Sequence, residues 1–190
     1  LLLVKRWVGQ LPTKRTVLYD KAIEVLLMTW NVQAHAPISL DEALPRLEFV
    51  AFAMMVEGLQ KISRPRLRSL LIKAREELPE VLSYSQLSDE EFIDRIELRS
   101  SLLIQAGVEV DSGRLVPLYE FRHLTFQEYL VAKAVVDDCY PNRKIDNNAI
   151  NILRPFLQQQ SWSQIVPLVA VLSGRKGKEI VDELAHSCES

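Results

Sequence analysis

Apolar positions along this chain recur mostly at helical spacing, with one stretch that alternates. Leu18, Ala22, Val25, Leu26 and Trp30 repeat every three or four residues, which predicts a helix from Lys14 to about Trp30. A shorter helix over 1–8 precedes it, and Gly9 and Pro12 separate the two. Asn31 to Ile38 reads as a linker containing Pro37. Ser39 and Glu42 have capping-box spacing and open a helix to about Glu57, with Pro45 threatening its first turn. Phe49, Val50, Phe52, Ala53 and Met54 leave that helix almost no polar face, so it is expected to be buried nearly all round.

Gly58 ends this element. Arg64-Pro65-Arg66 opens a basic helix to about Leu78, with proline at a tolerated first position, and Pro79 stops it. Ser88 and Glu91 form a further capping box, starting a helix whose apolar side is Phe92, Ile93, Ile96 and Leu98. Then the period changes. Val108 and Val110 flank Glu109, Tyr119 and Phe121 flank Glu120, and Asp111-Ser-Gly113 lies between, which predicts a β-hairpin. His123 shares the parity of Tyr119 and Phe121 and is expected on their face of the strand. Thr125 and Glu128 form a capping box that places the next helix start at about Phe126. After a loop over Asp137–Asn148, two or three helical pieces are predicted over Ile150–Gln158, Trp162–Leu172 and Lys176–His186. Pro155 and Pro167 are expected to bend or offset them, and Gly174 and Gly177 to separate the last two. Three helices followed by a hairpin is the element order of a winged helix. The fold class is therefore mainly α: a helical domain end (1–38), a winged-helix domain with a β-hairpin wing (39–138), and a second helical segment (139–190).

Composition narrows the function classes. The 190 residues are 48% hydrophobic and 25% charged, and the formal charge of −2 gives no electrostatic footprint for nucleic acid or an acidic membrane. Cys139 and Cys188 are far apart and lack C-x-x-C spacing, so they read as free thiols of a reducing, cytoplasmic compartment. No apolar run reaches the ~18 residues of a membrane span. The start on Leu1-Leu-Leu3 reads as a cut from a longer protein.

Catalytic chemistry is missing from the pattern. Gly9, Gly58, Gly107, Gly113, Gly174 and Gly177 offer no pair with the spacing of a phosphate-cradling P-loop. Ala134-Val-Val-Asp-Asp138 imitates a Walker B strand, but its apolar residues fit a helix face. No G-x-S-x-G elbow and no metal-ligand spacing of histidines is present. His123, just before a helix N-terminus, stands where an anion is stabilised; from residues alone, a structural histidine bridging strand and helix is the favoured reading.

Phe121-Arg-His-Leu-Thr-Phe-Gln-Glu-Tyr-Leu-Val-Ala132 resembles the F-x-H-x-x-F-Q-E-Y-L-A-A signature of the winged helix in NACHT-type signalling NTPases of the STAND class, which includes the NOD-like receptors and bacterial defence proteins. Three further segments are similar to that family in the same order: Gly9-Gln-Leu-Pro-Thr-Lys-Arg-Thr-Val-Leu-Tyr19, Leu47 to Gly58, and Arg99-Ser-Ser-Leu-Leu103, where Ser101 replaces a usual glycine. The resemblance implies a regulatory module that closes over bound ADP and opens on activation, allowing oligomerisation and signalling. It implies that His123 contacts the ADP phosphate. It also implies that the intact protein is an NTPase using ATP or ADP with Mg, while this stretch binds no cofactor alone and is not an enzyme. The expected partners are the protein's own nucleotide-binding domain and further copies of the intact protein, with no DNA and no membrane. The rival reading is a DNA-binding winged helix, suggested by Arg64, Arg66, Arg68, Lys73 and Arg75. The acidic Ser88–Glu97 helix opposes it, since it would be the one to enter the major groove.

Overall fold

The computed structural model describes residues 14–28, 38–143 and 148–188. The predicted helix over 1–8, most of the Asn31–Ile38 linker and part of the loop before Asn148 lie outside the described residues. The elements run α1 (Arg15–Met28), α2 (Leu40–Val56), β1 (Ile62–Ser63), α3 (Arg64–Glu77), α4 (Pro79–Leu82), α5 (Asp89–Arg99), β2 (Leu103–Asp111), β3 (Arg114–Phe121), α6 (Leu124–Val136), α7 (Ala149–Leu153), α8 (Ile165–Leu172) and α9 (Gly177–Cys188). Single 3₁₀ turns follow α7 and precede both α8 and α9.

Helix α2 is central, as its lack of a polar face requires. Every residue from Leu47 to Met55 is buried, and α6 lies against it with Tyr129, Leu130, Val131 and Ala132 buried in turn. Pro45 sits inside α2 without breaking it. The buried run that follows outweighs one lost backbone hydrogen bond. The expected Ser39–Glu42 capping box does not form. Ser39 is the N-cap but makes no side-chain cap bond, while Glu42 reaches across to accept the Gln86 N–H at 2.6 Å. The other end of α2 follows expectation. Gly58 takes φ +66°, its N–H donates to the Met55 carbonyl, and the Leu59 N–H donates back to Met54 at 2.8 Å.

The Ser88–Glu91 capping box forms in both directions, starting α5 where the spacing predicts. Phe92, Ile93 and Ile96 are buried, whereas Leu98 is half exposed because it lies well round the helix from Ile96. Pro79 ends α3 but also opens the one-turn α4. The hairpin closes through Ser112 and Gly113, both at positive φ, with Asp111 paired to Arg114. A bulge between Gln105 and Gly107 frees the Ala106 carbonyl, which Lys61 caps at 3.2 Å. The two-residue strand β1 was not evident in the sequence. It pairs Ile62 and Ser63 with Tyr119 and Leu118, giving an antiparallel sheet of order β1-β3-β2.

The first two C-terminal helices are shorter than predicted, while α9 runs on to Cys188. Pro155 lies in the 3₁₀ turn after α7, Trp162 in the next, and Pro167 in the first turn of α8. Trp162 is fully buried, stacked on Phe156 at 4.0 Å and edge-on to Phe52 of α2 at 5.8 Å. One apolar core runs from Ile23 of α1 through α2, α5, the sheet and α6 to Leu184 of α9. No helix among the described residues is long and apolar enough to cross a membrane.

Candidate functional site

His123 links wing and helix. The Arg122 N–H donates to the Leu102 carbonyl at 2.9 Å, which closes the sheet, and His123 becomes the N-cap of α6 with extended φ −134° and ψ 131°. Its carbonyl accepts from Phe126 N–H at 3.0 Å. Helix α6 thus starts at Leu124, two residues before the expected position, and the Thr125–Glu128 capping box is absent. With the helix starting at Leu124, Thr125 lies inside its first turn and cannot serve as the N-cap, and Glu128 is buried.

Shared parity did not give His123 the environment of Tyr119 and Phe121. Those two are buried, whereas His123 is exposed because the sheet ends at Phe121. Its ring leans on Phe126 at 5.8 Å and makes no hydrogen bond among the described residues. The result is an imidazole with free donor capacity at the positive end of a 13-residue helix. One such donor fits a single phosphate contact and cannot by itself hold a nucleotide. Arg122 is exposed, as its alternation predicts, and donates to the Ser101 carbonyl.

The Walker B imitation is a helix end. Asp137 caps α6 and pairs with Lys133 at 2.8 Å, and Asp138 turns the chain at φ +55°. Among the described residues no cluster of His, Cys, Asp and Glu could hold a metal ion.

The basic helix α3 meets the acidic helix α5 within the chain. Arg64 pairs with Glu90 at 2.8 Å and Asp94 at 2.6 Å, and donates to the Tyr119 hydroxyl, which in turn donates to Glu97 at 2.7 Å. Arg68 also reaches Glu90, and Arg75 reaches Asp89, both at 2.9 Å. Burial, with Glu97 beside it, pushes the Tyr119 hydroxyl up to about 12. Arg64, Arg68 and Arg75 are thus paired with the helix that a winged helix offers to a major groove, while Arg66 pairs with Glu57.

A second polar cluster lies between α2 and α6, unforeseen in the sequence. Glu48 is fully buried, 3.9 Å from Lys133, and shares with Cys139 and Asp137 the wall of a cavity of ≈ 290 Å³. Burial pushes the Glu48 carboxyl up to about 8, the nearby Lys133 only partly offsetting it. Burial also pushes the Cys139 thiol up to about 12, so it is a protonated core residue and not a nucleophile. The Glu48 proton has a measurable consequence. The folded state holds it well above the unfolded value of 4.5, so ionisation costs stability. Stability is expected to fall as pH rises from about 4.5 through about 8 and to level off above, by on the order of 5 kcal/mol. Urea midpoints at pH 5, 7 and 9 are expected to show that decline in the native chain and a flatter profile in Glu48→Gln. Parallel profiles would mean that Glu48 is ionised in the fold at neutral pH.

Residues 15–135 match the protein family described as winged helix-turn-helix domain C-terminal to NACHT. The chain belongs to this family. The match in this NACHT-associated winged helix takes in α1, the hairpin and nearly all of α6, so His123 lies inside it. No curated protein and no solved structure matches the chain. A winged-helix domain C-terminal to NACHT is not itself catalytic.

Proposed function

We propose that this NACHT-associated winged helix is the regulatory cap of a cytoplasmic STAND NTPase, closing over bound ADP and opening on activation so that the intact protein oligomerises. The observation that carries the reading is the exposed His123 ring, without a hydrogen bond among the described residues, at the N-terminus of α6. In the closed state the nucleotide supplies a phosphate anion beside that helix end. His123 donates a charge-assisted hydrogen bond to it, and the α6 backbone adds a favourable field. The core that joins α6 to α2 and α8 makes α6 part of a rigid body, so a contact at His123 bears on the whole module. ATP or ADP with Mg is held by the adjoining nucleotide-binding domain, and the module contributes the sensor.

The test is His123→Ala in the intact protein. Loss of one hydrogen bond to a charged group, about 1.5–3 kcal/mol, is expected to weaken ADP binding roughly tenfold or more and to raise the unstimulated oligomeric fraction. The fold is expected to stand, because the ring is exposed and makes no hydrogen bond among the described residues. Unchanged ADP affinity together with an unchanged oligomeric fraction would reduce His123 to a turn residue.

A further inference from the structure

The His123 ring is joined to α1 by a row of aromatic side chains. Because the imidazole is exposed and makes no hydrogen bond among the described residues, the contact that orients it there is the Phe126 ring, at 5.8 Å and 49°. Phe126 is half-buried in the first turn of α6, and its N–H donates to the His123 carbonyl at 3.0 Å, so backbone and ring fix the two residues to each other. On its other side Phe126 meets Tyr19 of α1, edge to face, at 6.3 Å and 74°. Tyr19 is held in turn. Its ring lies 5.2 Å from that of the fully buried Tyr129, its hydroxyl accepts from Arg15 Nε at 2.8 Å, and the Arg15 guanidinium stands 5.5 Å from its ring centroid.

Helical spacing produces the row. Arg15 and Tyr19 are four apart on α1, and Phe126 and Tyr129 are three apart on α6, so each pair shares a helix face and the two faces meet. Packed rings do not deform continuously, whereas an exposed imidazole left to itself samples its staggered rotamers. A hydrogen bond to an anion needs one of those rotamers, so a neighbour that selects it removes an ordering cost before the ligand arrives. The family description puts the NACHT domain before this module, and α1 is the first described element of the chain. The row therefore runs from the side on which that domain joins to the ring at the head of α6.

We propose that Phe126 and Tyr19 are positioning residues for His123: Phe126 holds the imidazole in one orientation, Tyr19 holds Phe126, and the seating of α1 on α6 thereby regulates the readiness of the ring to donate. This regulation rests on the reading of His123 as the phosphate sensor and adds to it a dependence on α1.

The first measurement follows the ring C–H resonances of His123 in the isotope-labelled 190-residue chain, with the amide shifts of α2 showing that each variant is folded. Phe126→Leu, which keeps apolar bulk, is expected to return the His123 signals to free-imidazole positions, and Phe126→Tyr to preserve them. Tyr19→Leu is expected to move them in the native background and to leave them unmoved in a Phe126→Leu background, because Tyr19 acts through Phe126. The second measurement is ADP affinity in the intact protein. Phe126→Leu and Tyr19→Leu are each expected to weaken it roughly two- to tenfold, and neither to weaken it further once His123→Ala is present. His123 signals that ignore Tyr19→Leu, or that respond equally with and without Phe126, overturn the positioning role. So does an ADP affinity that falls in His123→Ala and stays native in Phe126→Leu, which leaves the sensor reading intact. An ADP affinity unchanged by His123→Ala sinks the sensor reading itself and the regulation with it, even where the spectra show the rings coupled.

Discussion

Arg46→Ala is expected to destabilise the chain by about 3–5 kcal/mol, one of the two largest effects of any single change proposed for it. Arg46 projects from α2 and is completely buried. One of its terminal nitrogens donates to the Ser85 hydroxyl at 2.6 Å and the Leu87 carbonyl at 3.0 Å, and its guanidinium lies 4.7 Å from the centroid of Phe92. With Glu42 holding the Gln86 N–H and Arg75 reaching the same Leu87 carbonyl, it pins the loop that delivers α5 to the core. The charge itself is poorly served. Asp89 is 4.0 Å away and already paired with Arg75, and two Arg46 nitrogens have no partner. Packing of the stem and the Phe92 contact therefore outweigh the ion pair. Arg46→Met keeps the stem, removes the orphaned nitrogens, and is expected to cost less than half as much. Urea unfolding of both variants decides it; equal losses would show that the charge carries the role.

Neither Arg46 nor Glu48 was visible as a buried residue in the sequence. Helical spacing identified α2 as surrounded by apolar contacts, yet the same spacing places Arg46 and Glu48 inside that surround, and charge alone argues the opposite. The information that resolves this is tertiary: the 83–88 loop meets Arg46, and Lys133 of α6 meets Glu48. Local signals were reliable where the chemistry is local. The Ser88–Glu91 box, the Ser112-Gly113 turn and the Gly58 stop each need only neighbouring residues, and each occurs. The Ser39–Glu42 and Thr125–Glu128 boxes have the same spacing and fail: Glu42 is taken by the Gln86 amide, and Thr125 lies inside the first turn of α6. The candidate site followed the same division. His123 at the head of α6 was legible from the wing-to-helix junction, but its exposure was not, since parity along β3 says nothing about where the sheet ends. The pairing of α3 with α5 could be read as two opposite charge patterns and not as one contact until the fold joined Arg64 to Asp94.

Gly177 gives the second large effect, and for a reason that its sequence context does not suggest. As a separator of helices it would be replaceable, yet it is the first residue of α9, with ordinary helical φ −59° and ψ −36°. What requires glycine is space. A Cβ there would stand 2.0 Å from the Ala170 carbonyl oxygen and 2.8 Å from its carbon, backbone atoms of α8 that cannot turn aside. Gly177→Ala must therefore lift α9 off α8, exposing Ile180 and Leu184, each worth about 1.5–3 kcal/mol when fully buried. The expected loss is about 3–5 kcal/mol, with faster amide exchange and proteolysis concentrated in α9. Gly174 is the internal control. It has φ +59° and open space around its Cβ position, so Gly174→Ala carries only the left-handed backbone penalty of about 1–2 kcal/mol. If the two substitutions lower the melting midpoint equally, or if exchange in α9 is unchanged in Gly177→Ala, the close approach of α8 and α9 does not hold the C-terminal helix in place.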